Sequence, residues 1–519
     1  MLLRFPSVSH RCASKRFIQT KTLARTFKDV SEVLEFYESN VSIPVTQLEP
    51  LISQIAFIQS TQKSRKDKFD EIFGDKRFLQ LLVQSASDMS SCDSSTLSRF
   101  AVALANISLP RGGCQEMVDL SRVIGEEACK RTNAFSPSTL SSLVFGLATR
   151  GVSDPQLVEF VKIEALKTMQ DFSPENAITL LEGFRRMNVF DRELTDNIVE
   201  RMTDEVDRFT ARDIVNCIGV FSKLSLGRGF LLRRITKVSF ENLSAFQQTQ
   251  LVKLFGGLAR LRFTTTQSVD ALLGAIEAKN LDNLTPNQIA EVLFSVALSN
   301  YNDGSSSGTV GDLISRVSLH IEKLSLTALV DCAWALMALE SLDHRELLKS
   351  VLNRIFVMSP PSNRAILLKA LELVNGAAIE YPGLIKKDTI SAQWRSAMDD
   401  AEKLELNRFE NARLHSEVLA LVESIPPAAE GVLMDKITLQ RAAQVEGLYR
   451  VDFYDSSKNL AIDIDTLSRP STLLWKHRHL QTEGVAVVGL NYWEIRRFKN
   501  FEEQQTFLKS RIKKALSSR

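Results

Sequence analysis

Three cations recur at a fixed interval: Arg186, Lys223 and Arg260 are each 37 residues apart. A row of like charge at such an interval can track a phosphate backbone, which attracts Lys and Arg whatever the base sequence. Cations in the last turn of a helix also answer the helix dipole, so both roles are open at these positions. Arg185 and Arg262 lie beside two of them. Nearer the C-terminus, Lys476, Arg478, Tyr492, Trp493, Arg496 and Arg497 interleave basic and aromatic side chains. That mixture suits backbone contact combined with base stacking, although Trp493 is also of a type that fills cores. His477 and His479 are two apart on an expected helix, so they do not share a face and make a poor metal pair. There is no phosphate-cradling Gly-rich loop and no Ser-His-Asp or Cys-His arrangement. The six cysteines, at 12, 92, 114, 129, 217 and 332, form no Cys-x-x-Cys pair. They read as small buried hydrophobes in a reducing compartment, and no metal or cofactor is expected.

The cation interval belongs to a repeat. Phe135, Phe172, Phe209 and Phe246 are each 37 residues apart, and Leu284 and Leu324 continue at spacings of 38 and 40. Cys92 begins an earlier unit and Met358 a later, degenerate one. The residue after each leading position is usually a helix N-cap type (Ser136, Ser173, Thr210, Thr285, Ser325), often followed by proline (Pro137, Pro174, Pro286). Five, eight and twelve residues into the units the side chains are apolar or small: Leu140, Leu143 and Leu147 in one, Leu251, Leu254 and Leu258 in another. Steps of three and four keep them on one helix face. The residue just before the last of these is small in most units, as at Ala103, Gly146, Gly183, Gly257, Ser295 and Ala335, which lets neighbouring helices approach closely. A second apolar stretch completes each unit as a helical hairpin. Asn302 to Gly308 reads as a loop insertion that lengthens one spacing. The expected fold class is therefore mainly α, an α-solenoid of hairpins over 92–384, preceded by a helical cap at 29–91.

Residues 1–28 carry seven Lys/Arg and no Asp or Glu, with hydroxyl and bulky apolar residues between. This is the composition of an organelle transit peptide, and its arginines favour the mitochondrion (matrix) over a plastid. Beyond it, 29–440 hold 43 Lys/Arg against 53 Asp/Glu, while 441–519 hold fourteen against nine. An acidic body can meet nucleic acid only through local patches. No stretch is long and apolar enough for a membrane-spanning helix.

Residues 385–440 are charged and mostly helical, a linker ending near Ile425-Pro426-Pro427. From about 441 the pattern turns to strands at Tyr449–Tyr454, Leu460–Asp465 and Val485–Leu490. A helix lies between the last two, from about Thr472 to Thr482, and a final helix from about Phe501 to Leu516 has a basic end. This order resembles the RAP domain, as do the strings Leu460-Ala-Ile-Asp-Ile-Asp465, Leu473-Leu-Trp-Lys-His-Arg-His-Leu480, Gly484-Val-Ala-Val-Val488 and Asn491-Tyr-Trp-Glu494. The resemblance spans about seventy residues at 441–519. The repeat is similar to the heptatricopeptide repeats, and nearly as similar to the octotricopeptide repeats, of organellar proteins that carry such a domain, FAST-kinase-like mitochondrial proteins sharing the domain itself.

The resemblance implies RNA binding in organellar RNA metabolism and a restriction-endonuclease-like α/β fold. Such nucleases hold Mg²⁺ with two acids and place a Lys two residues beyond the second. Asp452 and Asp463 could supply the acids, with Asp465 a third candidate carboxylate, but the Lys position is Asp465 itself, leaving Lys476 as a substitute from the helix. The family's Gly-Pro-x-His after the acidic strand is also replaced here, by Thr466-Leu-Ser-Arg-Pro470. The expectation is thus a non-enzymatic RNA-binding protein acting on mitochondrial mRNA or rRNA in processing, stability or translation, alongside other RNA-processing proteins. The alternatives are a structural or assembly subunit of the mitochondrial ribosome, which the acidic body suits, and a metal-dependent endoribonuclease.

Overall fold

The computed structural model describes residues 27–40, 43–61, 71–109, 113–224, 229–301, 307–339, 344–385, 390–410, 413–425, 437–445, 449–465, 473–491, 495, 498 and 500–517. The expected leader, the Asn302 insertion and the Thr466–Pro470 run fall outside them, wholly or in large part. The chain is mainly helical, with a small four-stranded sheet near its C-terminus. Chain contacts divide it into two compact units, one of 1–220 with 228–238, the other of 221–227 with 239–519.

In the first unit the hairpins are Ser94–Asn106 with Gln115–Cys129, Pro137–Thr149 with Pro155–Lys167, and Pro174–Arg186 with Arg192–Glu205. Their first helices start where the caps predict. Ser136 and Ser173 accept from the backbone N–H three residues on, and Pro137 and Pro174 occupy the first turn. Sequence reasoning missed a short 3₁₀ turn just before many of the first helices. The leading residue closes it: Cys92 N donates to the Met89 carbonyl and Phe172 N to that of Met169. The expected apolar positions Leu97, Phe100, Leu104, Leu140, Leu143, Leu147, Ala177, Leu180 and Phe184 are all buried. Two glycines in the small-residue column explain how closely these helices stack. A Cβ on Gly146 would lie 2.5 Å from the Ala101 carbonyl carbon, and one on Gly183 would lie 2.7 Å from Val144 Cγ1.

The second unit continues the pattern with first helices Gln248–Arg260, Pro286–Leu298 and Leu326–Ala338, followed by Arg364–Glu380. Leu251, Leu254, Leu258, Ile289, Val292, Val296, Leu329, Cys332 and Leu336 are buried there. The cysteines among the described residues are unpaired, and burial pushes the Cys217 and Cys332 thiols far above their ordinary range, which disfavours the thiolate.

The sheet has the order β1 (Gln440–Val445), β2 (Tyr449–Asp455), β3 (Leu460–Asp465) and β4 (Ala486–Asn491). The first two pairings are antiparallel, and β3 pairs β4 in parallel, with Leu473–Thr482 as the crossover helix. One face of the sheet packs on the last helix, Phe501–Ser517, and on Arg413–Glu423. Leu508, Ile512, Val418 and Leu421 share a core with Phe453, Ile462 and Leu490. Arg413–Glu423 lies in the stretch expected to be a linker, so the sheet's core draws on residues well upstream of β1. Gly146→Leu is expected to destabilise the first unit by about 1–3 kcal/mol, because the atoms it meets are backbone. A lowered urea midpoint in the full chain would show it, and an unchanged midpoint would mean the two helices can separate freely.

Candidate functional site

Each of the three cations at the 37-residue interval lies in the last turn of its own helix, Pro174–Arg186, Ala211–Leu224 or Gln248–Arg260. Arg186 donates to Glu182 Oε1 at 3.1 Å and to Thr149 Oγ1 at 3.0 Å, and its guanidinium lies 4.6 Å from the Phe145 ring centroid. Arg260 faces Glu291 at 3.6 Å and lies 5.8 Å from the Phe294 ring. Lys223 is exposed. The two arginines therefore sit over an aromatic face with a carboxylate close by, and about a third of each side chain reaches solvent. Their charge is partly spent within the protein. Arg262, beside the column, donates to the Leu298 carbonyl of the next first helix, a structural clamp.

The C-terminal acids are enclosed. Asp463 lies on the face of β3 under the Leu473–Thr482 helix and is 2% exposed, and Asp452 faces it from β2. Asp463 Oδ1 accepts from Asp452 N at 3.1 Å, and Asp452 Oδ2 accepts from Ile464 N at 2.6 Å. The second Asp463 oxygen is 2.8 Å from Lys476 Nζ and 3.1 Å from His477 Nε2. Burial alone would raise the Asp463 carboxyl. The Lys476 charge and the His477 hydrogen bond outweigh it and hold the group well below the usual carboxylate range. Lys476 does reach the acid, and its ammonium also donates to the Arg450 carbonyl at 2.6 Å. It is buried, so the expectation of an outward phosphate contact at this position is corrected: the ammonium neutralises an internal acid. A divalent cation on Asp463 would have to displace that ammonium. Among the described residues no group of three or more His, Cys, Asp or Glu is placed to hold a metal.

The other face of the Leu473–Thr482 helix meets the end of the hairpin array. Trp475 lies 5.2 Å from Trp334, which is itself 5.1 Å from Phe294, centroid to centroid. Gly376 permits the contact, since a Cβ there would lie 3.2 Å from Trp475 Nε1 and 2.7 Å from Met337 Cε. Arg478 pairs with Glu380 rather than projecting freely, so it too is tied into the fold. His479 Nε2 is 2.7 Å from the same Glu380 oxygen, and its Nδ1 is 2.7 Å from the Tyr449 hydroxyl. The chain is satisfied when Nε2–H donates to Glu380 and Tyr449 O–H donates to Nδ1. Burial raises the Tyr449 hydroxyl, and the Glu380 charge adds to it. For Glu380 burial also pushes upward, but the bonds from His479 and Arg478 prevail and hold it below its ordinary value. As expected, the two histidines point to different partners. Tyr492, Trp493, Arg496 and Arg497 lie outside the described residues, as does the Asp465 side chain, whose backbone pairs with Asn491. Sequence reasoning missed Glu380, Trp334, Gly376 and Tyr449. The only local trace was a tryptophan and a glycine inside apolar helices.

Asp463→Asn leaves the Lys476 ammonium buried beside a neutral amide, and a loss of about 3–5 kcal/mol in the sheet's stability is expected. Glu380→Ala is expected to raise hydrogen exchange of the Leu473–Thr482 helix while sparing the strands. Both carboxyls are depressed in the fold, so their contribution is present above the unfolded values near ~4 and is lost as pH falls through the folded ones. Exchange that stays equally slow in both variants would mean that neither pair holds the helix.

A family model, RNA-editing substrate-binding complex 6 protein, matches residues 101–304. No curated protein matches the chain. The match covers hairpins of both units, from Ser94–Asn106 to Pro286–Leu298, and carries the reading of a helical, RNA-associated protein.

Proposed function

We propose that this chain is a non-enzymatic RNA-binding protein of mitochondrial RNA metabolism, acting in transcript processing, stability or translation. The observation that carries the reading is the match of 101–304, the hairpin array, to a family whose name specifies RNA-editing substrate binding. The basic leader supports the mitochondrial assignment, and the RAP-like strings support an RNA role for the C-terminal domain. Of the three cations at the 37-residue interval, Lys223 and the exposed third of Arg186 and Arg260 offer phosphate contacts. Stacking of Arg186 on Phe145 also fixes the guanidinium plane, which lowers the entropy lost when a base or phosphate settles on it.

Hydrolysis is disfavoured by the state of Asp463, whose second oxygen already holds an ammonium and an imidazole. The acidic excess over 29–440 favours one further reading, a subunit or assembly factor of the mitochondrial ribosome that meets mainly protein. Crosslinking RNA to the tagged full chain in intact mitochondria separates the two. Enrichment at a few mRNA or precursor junctions is the expected result. Crosslinks confined to ribosomal RNA would transfer the chain to the ribosomal reading. Recovery no greater than with the leader alone would end the RNA-binding proposal.

A further inference from the structure

Four of the cations described above are committed inside the protein: Arg186 to Glu182, Arg260 to Glu291, Lys476 to Asp463 and Arg478 to Glu380. On the last helix, Phe501–Ser517, Lys509 and Lys513 depart from that pattern. Its apolar stripe, Leu508 and Ile512, is buried against the sheet. The opposite face carries Thr506, Lys509, Ser510, Lys513 and Ser517, with Lys514 at its edge, and these six line one shallow open depression. Steps of three and four residues put them on a single side. The helix's two acids, Glu502 and Glu503, sit in its first turn, away from this end. Among the described residues, no carboxylate pairs with Lys509 or Lys513.

We infer that this lysine and hydroxyl face is a contact surface for the phosphate backbone of single-stranded RNA. The inference rests on the RNA-binding reading above and assigns that reading a surface outside the repeats. Lys509 and Lys513 are one turn apart, about 6 Å along the axis, and supply the charge. Thr506, Ser510 and Ser517 supply neutral donors between and beyond them, the usual complement at phosphate oxygens. The face carries no apolar side chain that could enter a bilayer, because the helix's apolar side is already used by the core. It also carries no aromatic group for stacking, so the contact reads backbone and not base sequence.

The test uses the full chain and a short oligouridylate, with affinity measured across a salt series. Lys509→Gln with Lys513→Gln is expected to flatten the slope of log K against log salt by about 1.4, since each single-strand phosphate contact contributes about 0.7. Lys509→Arg with Lys513→Arg should restore it, which separates lost charge from lost fold. An unchanged slope in the glutamine variant, with wild-type binding intact, would overturn this inference and leave the RNA-binding reading standing. No oligouridylate binding by the wild type even at low salt would overturn both. Lysine-dependent flotation with phosphatidylserine vesicles in the absence of RNA binding would also overturn it, in favour of a membrane contact.

Discussion

A hairpin of two helices near 13 residues long cannot bury its own apolar stripe, and most of this structure follows from that constraint. Each first helix shows three buried positions to its neighbours, and the stack is tight enough that Gly146 touches the backbone of the preceding unit. A stack of this kind has to be closed wherever it stops. At the C-terminal end Trp475 closes it, seated over Gly376 and against Trp334. The α/β domain thus acts as the cover of the last hairpins. Its crossover helix serves two cores at once, the sheet through the Asp463 contact and the array through the tryptophan.

That double duty explains why so many chemically capable side chains are unavailable. Asp463, Lys476, His477, Arg478 and His479 have the residue types of a nuclease centre or a phosphate clamp. Each is bonded to another protein group instead, within a buried seam where an unpaired charge would cost several kcal/mol. Residue type left both roles open, and the surrounding burial decided between them.

The repeat and its register were legible because their signals are local: a capping hydroxyl, a proline in the first turn, apolar steps of three and four. The strand Leu460–Asp465 was legible from alternation, and its neighbours were placed to within a residue or so. The strand Gln440–Val445 was not singled out, since Gln-Arg-Ala-Ala-Gln-Val has little strand character of its own and owes its conformation to pairing with Tyr449–Asp455. The membership of Arg413–Glu423 in the sheet's core was equally hidden, because an amphipathic helix does not announce which surface it covers. Lys476 was read as outward-facing because lysine usually is. The seam itself joins Glu380 to His479 across 99 residues, a relation that no window along the chain can reveal.

The RNA-binding proposal raises one electrostatic question, how an acidic body would meet a polyanion. Screening supplies the answer. At physiological ionic strength a charge is felt over only ~8 Å, so the ten-charge deficit of 29–440 does not act as one field on an approaching strand. What counts is which cations lack an internal carboxylate partner and how many stand together. Inside the array Arg186 and Arg260 are shared with glutamates, so an isolated lysine such as Lys223 offers one contact at a time. On the last helix the apolar side is spent on the core and the acids are confined to the first turn, so Lys509 and Lys513 stand one turn apart without competition from a neighbouring carboxylate. The folding constraint that consumes charge along the docking seam also leaves this outer face basic.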